Sequence, residues 1–305
     1  MGQTRLAPAV AVLLVALAAL SGCSSPIGSS MTSLSGHMLV VGSTALQPLV
    51  TQAAQLYRQQ QPGVSVQVQG GGSLLGLQAV TSHQADIGDS DVYADPAQYP
   101  DPNLTDHLVC VVPFAMVVNP DVTIPSLSQE QIVEIYSTGQ ITNWKQVGGP
   151  DLAIVPVVRP ATSGTRATFR KYVLEGRDQN GRLLSSDSSQ TVLNVVAQTP
   201  GAIGYLALSV ANSTVHVVAI DGQQPTQATI AAGRYAFWGF EHMYTLGDNG
   251  GPIEGFLDFM LTPAIQNLAQ QLGYIPIAAM QLADSSTHHN PASVFREAEA
   301  ARESE

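Results

Sequence analysis

The apolar positions of the chain follow a strand–helix–strand pattern from Met38 onward. The run MLVVG predicts a short strand, and alternating valines at 64–68 and the segment 85–90 predict two more. Between the first two strands, apolar side chains recur at the spacing of an amphipathic helix: Leu46, Leu49, Val50, Ala53 and Tyr57. Short strands that alternate with helices indicate an open α/β sheet, whose ligands bind beyond the carboxyl ends of the strands.

The same alternation continues in the second half of the chain. A long apolar run at 108–118 predicts a strand, and Ser128 with Gln131 predicts a capping box at the start of a helix. The segment AIVPVV (153–158) predicts a buried strand, followed by a helix with Phe169, Tyr172 and Val173 facing inward. Further elements are predicted as a helix at 191–198, strands at 202–208 and 215–220, and helices at 253–261 and 263–272.

Length and composition indicate a packed body of two lobes. The chain has 305 residues, of which 45% are hydrophobic and 11% charged, so disorder is excluded for most of it. The formal net charge is −11, and Lys145 and Lys171 are the only lysines. Because binding to nucleic acid needs a basic face, this balance argues against a nucleic-acid partner.

The first residues are typical of an export signal. Arg5 precedes an apolar stretch at 6–20, whose 15 residues fall short of the roughly 20 that a membrane span needs. The stretch ends in LSGC, which resembles a bacterial lipobox with Cys23 as the acylated residue; an ordinary secretory signal with a chance cysteine is the alternative. Residues 24–36 are rich in Ser and Gly and predict a flexible tether. If Cys23 carries lipid, Cys110 has no disulfide partner, and its apolar surroundings predict a buried core residue.

Three turns share the order strand, Gly/Ser/Thr-rich turn, helix. They are GSTALQP (42–48), GGGSLLG (70–76) and TSGTRATF (162–169). Each presents unpaired backbone N–H groups, a hydroxyl and the positive end of a helix dipole, which together attract an anion. A single such turn is more simply a helix cap. Three of them would enclose a small oxyanion if two came from one lobe and one from the other.

Seven motifs in order resemble the solute-binding lipoproteins of bacterial phosphate ABC transporters. They are VGSTALQPLV, QGGGSLLGLQAV, ADIGDSDVY, RPATSGTRATF, PGAIGYLALS, FWGFEHMYT and LGYIPIAAM, and they extend over about residues 38–280. The resemblance implies an α/β, type II periplasmic-binding-protein fold, with two lobes joined by crossover strands around a central cleft. The expected segments are a signal peptide (1–22), a tether (23–36), lobe 1 (37–115 and 236–283), lobe 2 (116–235) and a polar tail (284–305).

The resemblance also implies which residues hold inorganic phosphate. The expected set is Thr44, the backbone of Ala45, Ser73, Asp91, Arg159, Ser163, Gly164 and Thr165. Asp91 would accept the hydrogen of a protonated phosphate, and Arg159 would offer paired N–H donors to its oxygens. Sulfate lacks that hydrogen at neutral pH and would meet Asp91 as a like charge. The chain departs from the family pattern at Pro160 to Thr162, which leaves the usual acidic partner of Arg159 unassigned.

The neighbouring polar residues have simpler interpretations. We expect Asp86 to brace its own turn, Asp89 to be exposed beside the site, and Arg166 to pair with a carboxylate. Glu241 and His242 are interpreted as a buried brace near the hinge. The tryptophans, Trp144 and Trp238, and the tyrosines are expected in the core or the cleft wall.

An esterase and a different role for the same fold are the alternative functions. Gly88-Asp89-Ser90 resembles the nucleophile block of Gly-Asp-Ser esterases, but the nearest Asp and His pair, Asp284 and His288, has the wrong spacing, so we expect no enzyme. No cofactor and no metal are expected. A closer alternative is the same fold with another oxyanion, or with a sensing or scavenging role. The resemblance instead implies a monomer, lipid-anchored outside the cytoplasm, that delivers phosphate to a permease and its ATPase.

Overall fold

The predicted alternation of strands and helices is present in the computed structural model, which describes residues 34–184, 187–247 and 249–280. The strands of this described part are β1 Gly36–Gly42, β2 Val64–Gly70, β3 Ile87–Ser90, β4 Leu104–Val118, β5 Ser126–Leu127, β6 Val155–Val158, β7 Arg182–Leu183, β8 Ala202–Ala207, β9 His216–Ile220, β10 Trp238–Leu246 and β11 Ile275–Pro276. Its α-helices are α1 Gln47–Gln60, α2 Ser73–Thr81, α3 Gln129–Val133, α4 Gly164–Tyr172, α5 Ser189–Gln198, α6 Gln227–Ala231, α7 Pro252–Met260 and α8 Pro263–Gln271. The expected signal peptide, Cys23, most of the tether and the tail at 284–305 lie outside the described residues.

One half of the sheet has the strand order β2-β1-β3-β10-β4. The first three of these strands are parallel, so their carboxyl ends lie at one edge, and β10 runs antiparallel between β3 and β4. We call these strands, with β11 beside β4, the first half. Residues of β4 up to Pro113 pair with β10.

The other half of the sheet begins within the same long strand. From Phe114 to Val118, β4 pairs with β8 and, near its end, with β9. Strands β6 and β7 continue parallel beyond β8, and β5 pairs with β9; these strands form the second half. Strand β4 therefore crosses from one half to the other between Pro113 and Phe114. The lobe boundaries given above stay a prediction.

The helices follow the local signals in the sequence. Pro48 lies in the first turn of α1, and the apolar face of that helix is buried as its spacing predicted. Tyr57 of α1 packs its ring on those of Phe256 and Phe259 in α7. The capping box at Ser128 is confirmed, although α3 soon widens into a π-turn over Glu134–Thr138.

Two expectations about the core have different outcomes. Cys110 is free and fully buried, as predicted. Tyr172 was expected to face inward with Phe169 but is only half-buried, because α4 ends there and the ring lines a cleft. None of the helices in the described part of the chain combines the length and apolar character needed to cross a bilayer.

Candidate functional site

The turn between β1 and α1 is organised by the Ser43 hydroxyl. Its oxygen accepts the N–H groups of Ala45 and Leu46, at 3.1 and 3.0 Å, and so caps a helix whose own N-cap residue supplies no side-chain bond. The same hydroxyl donates to Asp91 Oδ1. The Ala45 N–H, implied by the resemblance to contact the anion, is thus held by Ser43. Thr44 is buried beside it.

The glycine turn between β2 and α2 allows a close approach of the two halves. Gly72 has a φ of 99°, and a Cβ there would lie 2.6 Å from the carbonyl oxygen of Thr162. A larger residue is therefore excluded by both conformation and space. The Leu74 N–H, in the first turn of α2, donates to that same carbonyl at 3.1 Å. This hydrogen bond joins the first half to the second.

Asp91 follows β3 and is buried between hydroxyl donors from both halves. Its Oδ1 accepts from Ser43, and its Oδ2 accepts from Thr165 at 2.7 Å. Its backbone N–H donates to Ser73 Oγ at 2.9 Å. Burial raises the pKa of Asp91, while the bonds from Ser43 and Thr165 and the charge of Arg159 act in the opposite direction.

Arg159 lies after β6 and is 1% exposed. Its Nε and Nη2 contact Asp187 Oδ1, each at 2.6 Å, and its Nη1 donates to Ser189 Oγ at 3.1 Å. Nη2 also donates to Thr44 Oγ1 at 2.9 Å, across the cleft. The guanidinium therefore connects the first turn of the chain with the second half.

The turn before α4 completes the cluster. Ser163 is the N-cap of α4, because its hydroxyl accepts the Arg166 N–H at 3.2 Å. Gly164 packs against Ser73, where a Cβ would lie 2.2 Å from the hydroxyl oxygen. The prediction that Arg166 pairs with a carboxylate is wrong. The Arg166 guanidinium instead donates to the backbone carbonyl of Arg159 at 2.6 Å and so stabilises the turn.

The sequence interpretation missed Asp187 and Ser189. Asp187 is the acidic partner of Arg159 that remained unassigned, and both side chains of the pair are at most 2% exposed. Ser189 begins α5, whose N-cap is Ser188. The segment Asp187-Ser188-Ser189 is thus a fourth polar turn before a helix, a signal that the sequence contained.

Two neighbouring acids lie elsewhere than expected. Asp89 is 2% exposed rather than at the surface, since β3 is an interior strand between β1 and β10, and its Oδ1 has no hydrogen-bond partner within the described residues. Asp86 braces β1 rather than its own turn, since its Oδ2 accepts the Leu39 N–H at 2.7 Å. Glu241 and His242 are fully buried in β10, as expected, and the His242 Nδ1 contacts Asp106.

A cavity of about 210 Å³ adjoins the cluster at Asp91. Its walls come from both halves and include the rings of Tyr93, Tyr172 and Trp238. Trp144, in contrast, is fully buried in the core. Within the described ranges, no three His, Cys, Asp or Glu side chains are grouped so that they could hold a metal ion.

The residues expected at the site are brought together from the ends of four strands in the two halves. Buried hydroxyls, helix amino termini, one arginine and one carboxylate meet at the carboxyl ends of β1, β2, β3 and β6. This arrangement defines the class of the protein: a type II periplasmic binding protein, with two α/β lobes joined by crossover strands around a cleft.

Comparisons with known proteins give the family. The model of the PBP superfamily domain matches residues 28–264. The chain is 42% identical over 251 residues to the phosphate-binding protein PstS of Bacillus subtilis (strain 168), a match that covers 81% of this chain and 83% of that protein. The chain belongs to the PBP superfamily and, within it, to the family of phosphate-binding protein PstS. The resemblance found in the motifs is therefore confirmed.

Solved structures agree with this assignment. A putative phosphate ABC transporter substrate-binding protein from Clostridium perfringens, solved with bound phosphate, matches with a TM-score of 0.72 and 26% identity, over 79% of this chain and 99% of that one. An ABC-type phosphate transport receptor from Vibrio cholerae matches with a TM-score of 0.63 and 29% identity, over 78% of this chain and 99% of that one.

Proposed function

We propose that this protein captures inorganic phosphate in the cleft and delivers it, chemically unchanged, to the permease and ATPase of an ABC transporter. The named relatives are phosphate-binding proteins, and the Clostridium perfringens structure contains phosphate. The proposed ligand groups are Thr44, Ala45, Ser73, Asp91, Arg159, Ser163, Gly164 and Thr165, joined by Ser43 and Ser189.

The proposal rests mainly on the buried Asp91 carboxylate, which is surrounded by hydrogen-bond donors. Asp91 accepts hydrogen bonds from Ser43 and Thr165, and an ionised carboxylate accepts only. Its two oxygens together offer about four lone-pair sites, so two hydroxyls leave capacity for a third donor. A phosphate that retains a proton can supply that donor, while hydroxyls and Arg159 saturate its remaining oxygens.

The same carboxylate excludes anions without a proton. Sulfate would place an oxygen lone pair against the Asp91 charge, at a side chain that is 5% exposed. Two like charges placed against each other at a buried contact cost several kcal/mol, and about 3 kcal/mol already corresponds to roughly a hundredfold in affinity. The selectivity for phosphate thus follows from an acid, while the affinity follows from the neutral donors and Arg159.

Calorimetric titration with phosphate, sulfate and nitrate at neutral pH tests the proposal. We expect phosphate to bind at micromolar concentration or below, and the other two at least about a hundredfold more weakly. Equal affinities for phosphate and sulfate would remove Asp91 from its proposed role. They would favour the alternative that another oxyanion is the ligand.

We propose further that the protein works as a monomer outside the cytoplasm, held to the membrane by lipid on Cys23. The support is the lipobox-like LSGC sequence, since Cys23 lies outside the described residues. Membrane fractions from cells that express the full chain should contain the protein, and Cys23→Ala should move it to the soluble fraction. An unchanged distribution would contradict the anchor and leave the phosphate proposal untouched.

A further inference from the structure

Glu241 is a buried acid that the proposed phosphate contacts do not use. It lies in β10, is 0% exposed, and neither of its carboxyl oxygens has a donor of its own among the described residues; the Ser43 hydroxyl, already bonded to Asp91, and the Asp91 carboxyl are the side chains within its reach. A buried carboxylate with no donor is costly, since burial without compensation penalises the charged form. Burial of the Glu241 carboxyl therefore favours its neutral, protonated form.

Strand register places Glu241 against Asp91. Strands β3 and β10 are antiparallel, with Met243 opposite Asp89 and His242 opposite Ser90. The ladder ends with His242 opposite Ser90, and the next residue of each chain segment is Glu241 or Asp91. The side chains of these two acids lie within hydrogen-bonding reach of each other. On its other side Glu241 pairs with Cys110 of β4, next to a register shift in the ladder.

The groups that face Glu241 are acidic or neutral. From each element packed against it these are Asp89 of β3, Asp91 after β3, Cys110 of β4, Tyr274 before β11 and the Ser43 hydroxyl of the first turn. Burial raises the pKa of Glu241 well above its usual range, and the charges of Asp91 and Asp89 raise it further. The Ser43 hydroxyl is committed to Asp91, so it cannot stabilise a Glu241 anion equally well.

We propose that Glu241 is a protonated carboxylic acid that donates a hydrogen bond to Asp91, so that the pair carries one negative charge, located on Asp91. Asp91 is the member that ionises because two hydroxyls and the Arg159 charge favour its anion, whereas the Glu241 anion would have only the Ser43 hydroxyl, which is bonded to Asp91. A single proton shared by two facing carboxyls is the usual outcome when both cannot ionise.

This role rests on the proposed phosphate function and makes Glu241 a positioning residue for anion selectivity. As long as Glu241 donates, Asp91 stays an acceptor and rejects sulfate. If Asp91 took up the proton, its O–H could donate to sulfate and the discrimination would disappear. Glu241 therefore sets the pH down to which the site distinguishes the two anions.

Two variants of Glu241 test whether a hydrogen-bond donor to Asp91 is needed at this position. Glu241→Gln keeps the shape and an N–H donor toward Asp91, and Glu241→Leu keeps similar bulk without a donor. The phosphate-to-sulfate affinity ratio, measured by calorimetry between pH 5 and 8, should have the same pH profile in wild type and Glu241→Gln. In Glu241→Leu, the pH at which the ratio falls should move up by about one to two units, the shift expected on losing one hydrogen bond to a charged acceptor.

Infrared difference spectra test the protonation directly and without any anion. The spectrum of wild type minus Glu241→Gln at neutral pH should contain the carbonyl stretch of a protonated carboxyl. The exposed Glu254, changed to Gln, is the matched control and should give no such band. A missing band for Glu241, or a Glu241→Leu profile identical to wild type, overturns the proposal. Because the spectra need no ligand, this outcome is independent of whether phosphate is the cargo, and it remains decisive if the Leu variant fails to fold.

Discussion

Gly164→Ala should prevent closure of the cleft without harming either half. The φ of Gly164 is not in the left-handed region, so alanine fits its backbone, and alanine is the better helix residue by up to about 1 kcal/mol. The three atoms nearest to an added Cβ belong to the opposite half: Ser73 Oγ at 2.2 Å, Ser73 Cβ at 2.8 Å and Asp91 Cβ at 2.9 Å. The steric conflict therefore exists only when the halves meet.

The size of the effect follows from these distances. The Ser73 hydroxyl can rotate, but the two Cβ atoms are fixed to the backbone, and ordinary contact begins at 3.4 Å. The halves must separate by about 0.5 to 0.6 Å, which stretches the 2.7 Å bond from Thr165 to Asp91 beyond 3.1 Å. Losing one hydrogen bond to a charged group costs about 1.5–3 kcal/mol, so phosphate should bind about tenfold to a hundredfold more weakly.

Calorimetry with phosphate and thermal unfolding without it provide the assay. Gly250→Ala is the matched control, because nothing lies within 4 Å of a Cβ at that position and its φ is not positive. We expect Gly164→Ala to keep or raise the melting temperature while phosphate affinity falls, and Gly250→Ala to change neither. Wild-type affinity in Gly164→Ala would refute the claim that this contact forms in the binding-competent state.

Two further predictions concern the buried charges. Asp187→Ala should destabilise the anion-free protein by roughly 3–5 kcal/mol, since it leaves Arg159 buried without its carboxylate. Saturating phosphate should restore part of this lost stability. Urea titrations with and without phosphate measure both effects, and an unchanged unfolding midpoint would contradict the pairing of Arg159 with Asp187. Burial and the charge of Asp91 raise the pKa of Asp89, so the folded state keeps a proton that the unfolded chain loses above about pH 4. Wild-type stability should therefore decline as pH rises above about 4, by up to about 1.4 kcal/mol per unit until Asp89 ionises in the folded state, and Asp89→Asn should reduce that slope. Parallel urea-stability curves for the two proteins between pH 5 and 8 would rule this out.

Much of the fold and part of the site could be predicted from the sequence because they depend on local signals. The apolar runs set the strands, and the three Gly/Ser/Thr turns lie where a strand precedes a helix. The turn at Asp187 escaped notice because its strand, β7, has two exposed residues and no apolar run. Three of the four polar turns that precede a helix at the site were therefore predicted from the sequence, and the turn at Asp187 was the one that was missed.

The errors concern contacts that form only in three dimensions. Asp89 was expected at the surface, as isolated acids usually are, but β3 is an interior strand because β10 pairs with it from about 150 residues further along the chain. Arg166 was expected to find a carboxylate, yet the nearest acceptor is a backbone carbonyl of its own turn, which no residue letter reveals. Likewise, the approach of Glu241 to Asp91 depends on the pairing of β10 with β3.

The most direct test of the account is the ratio of phosphate to sulfate affinity in wild type and in Asp91→Asn, measured by calorimetry at neutral pH. The amide keeps the shape of the side chain but carries no charge and can donate to sulfate. We predict that the ratio, at least about a hundred in wild type, falls by at least about tenfold in the variant, mainly because sulfate binds better. An Asp91→Asn protein as selective as wild type would contradict the claim that a buried carboxylate recognises the hydrogen of the bound anion.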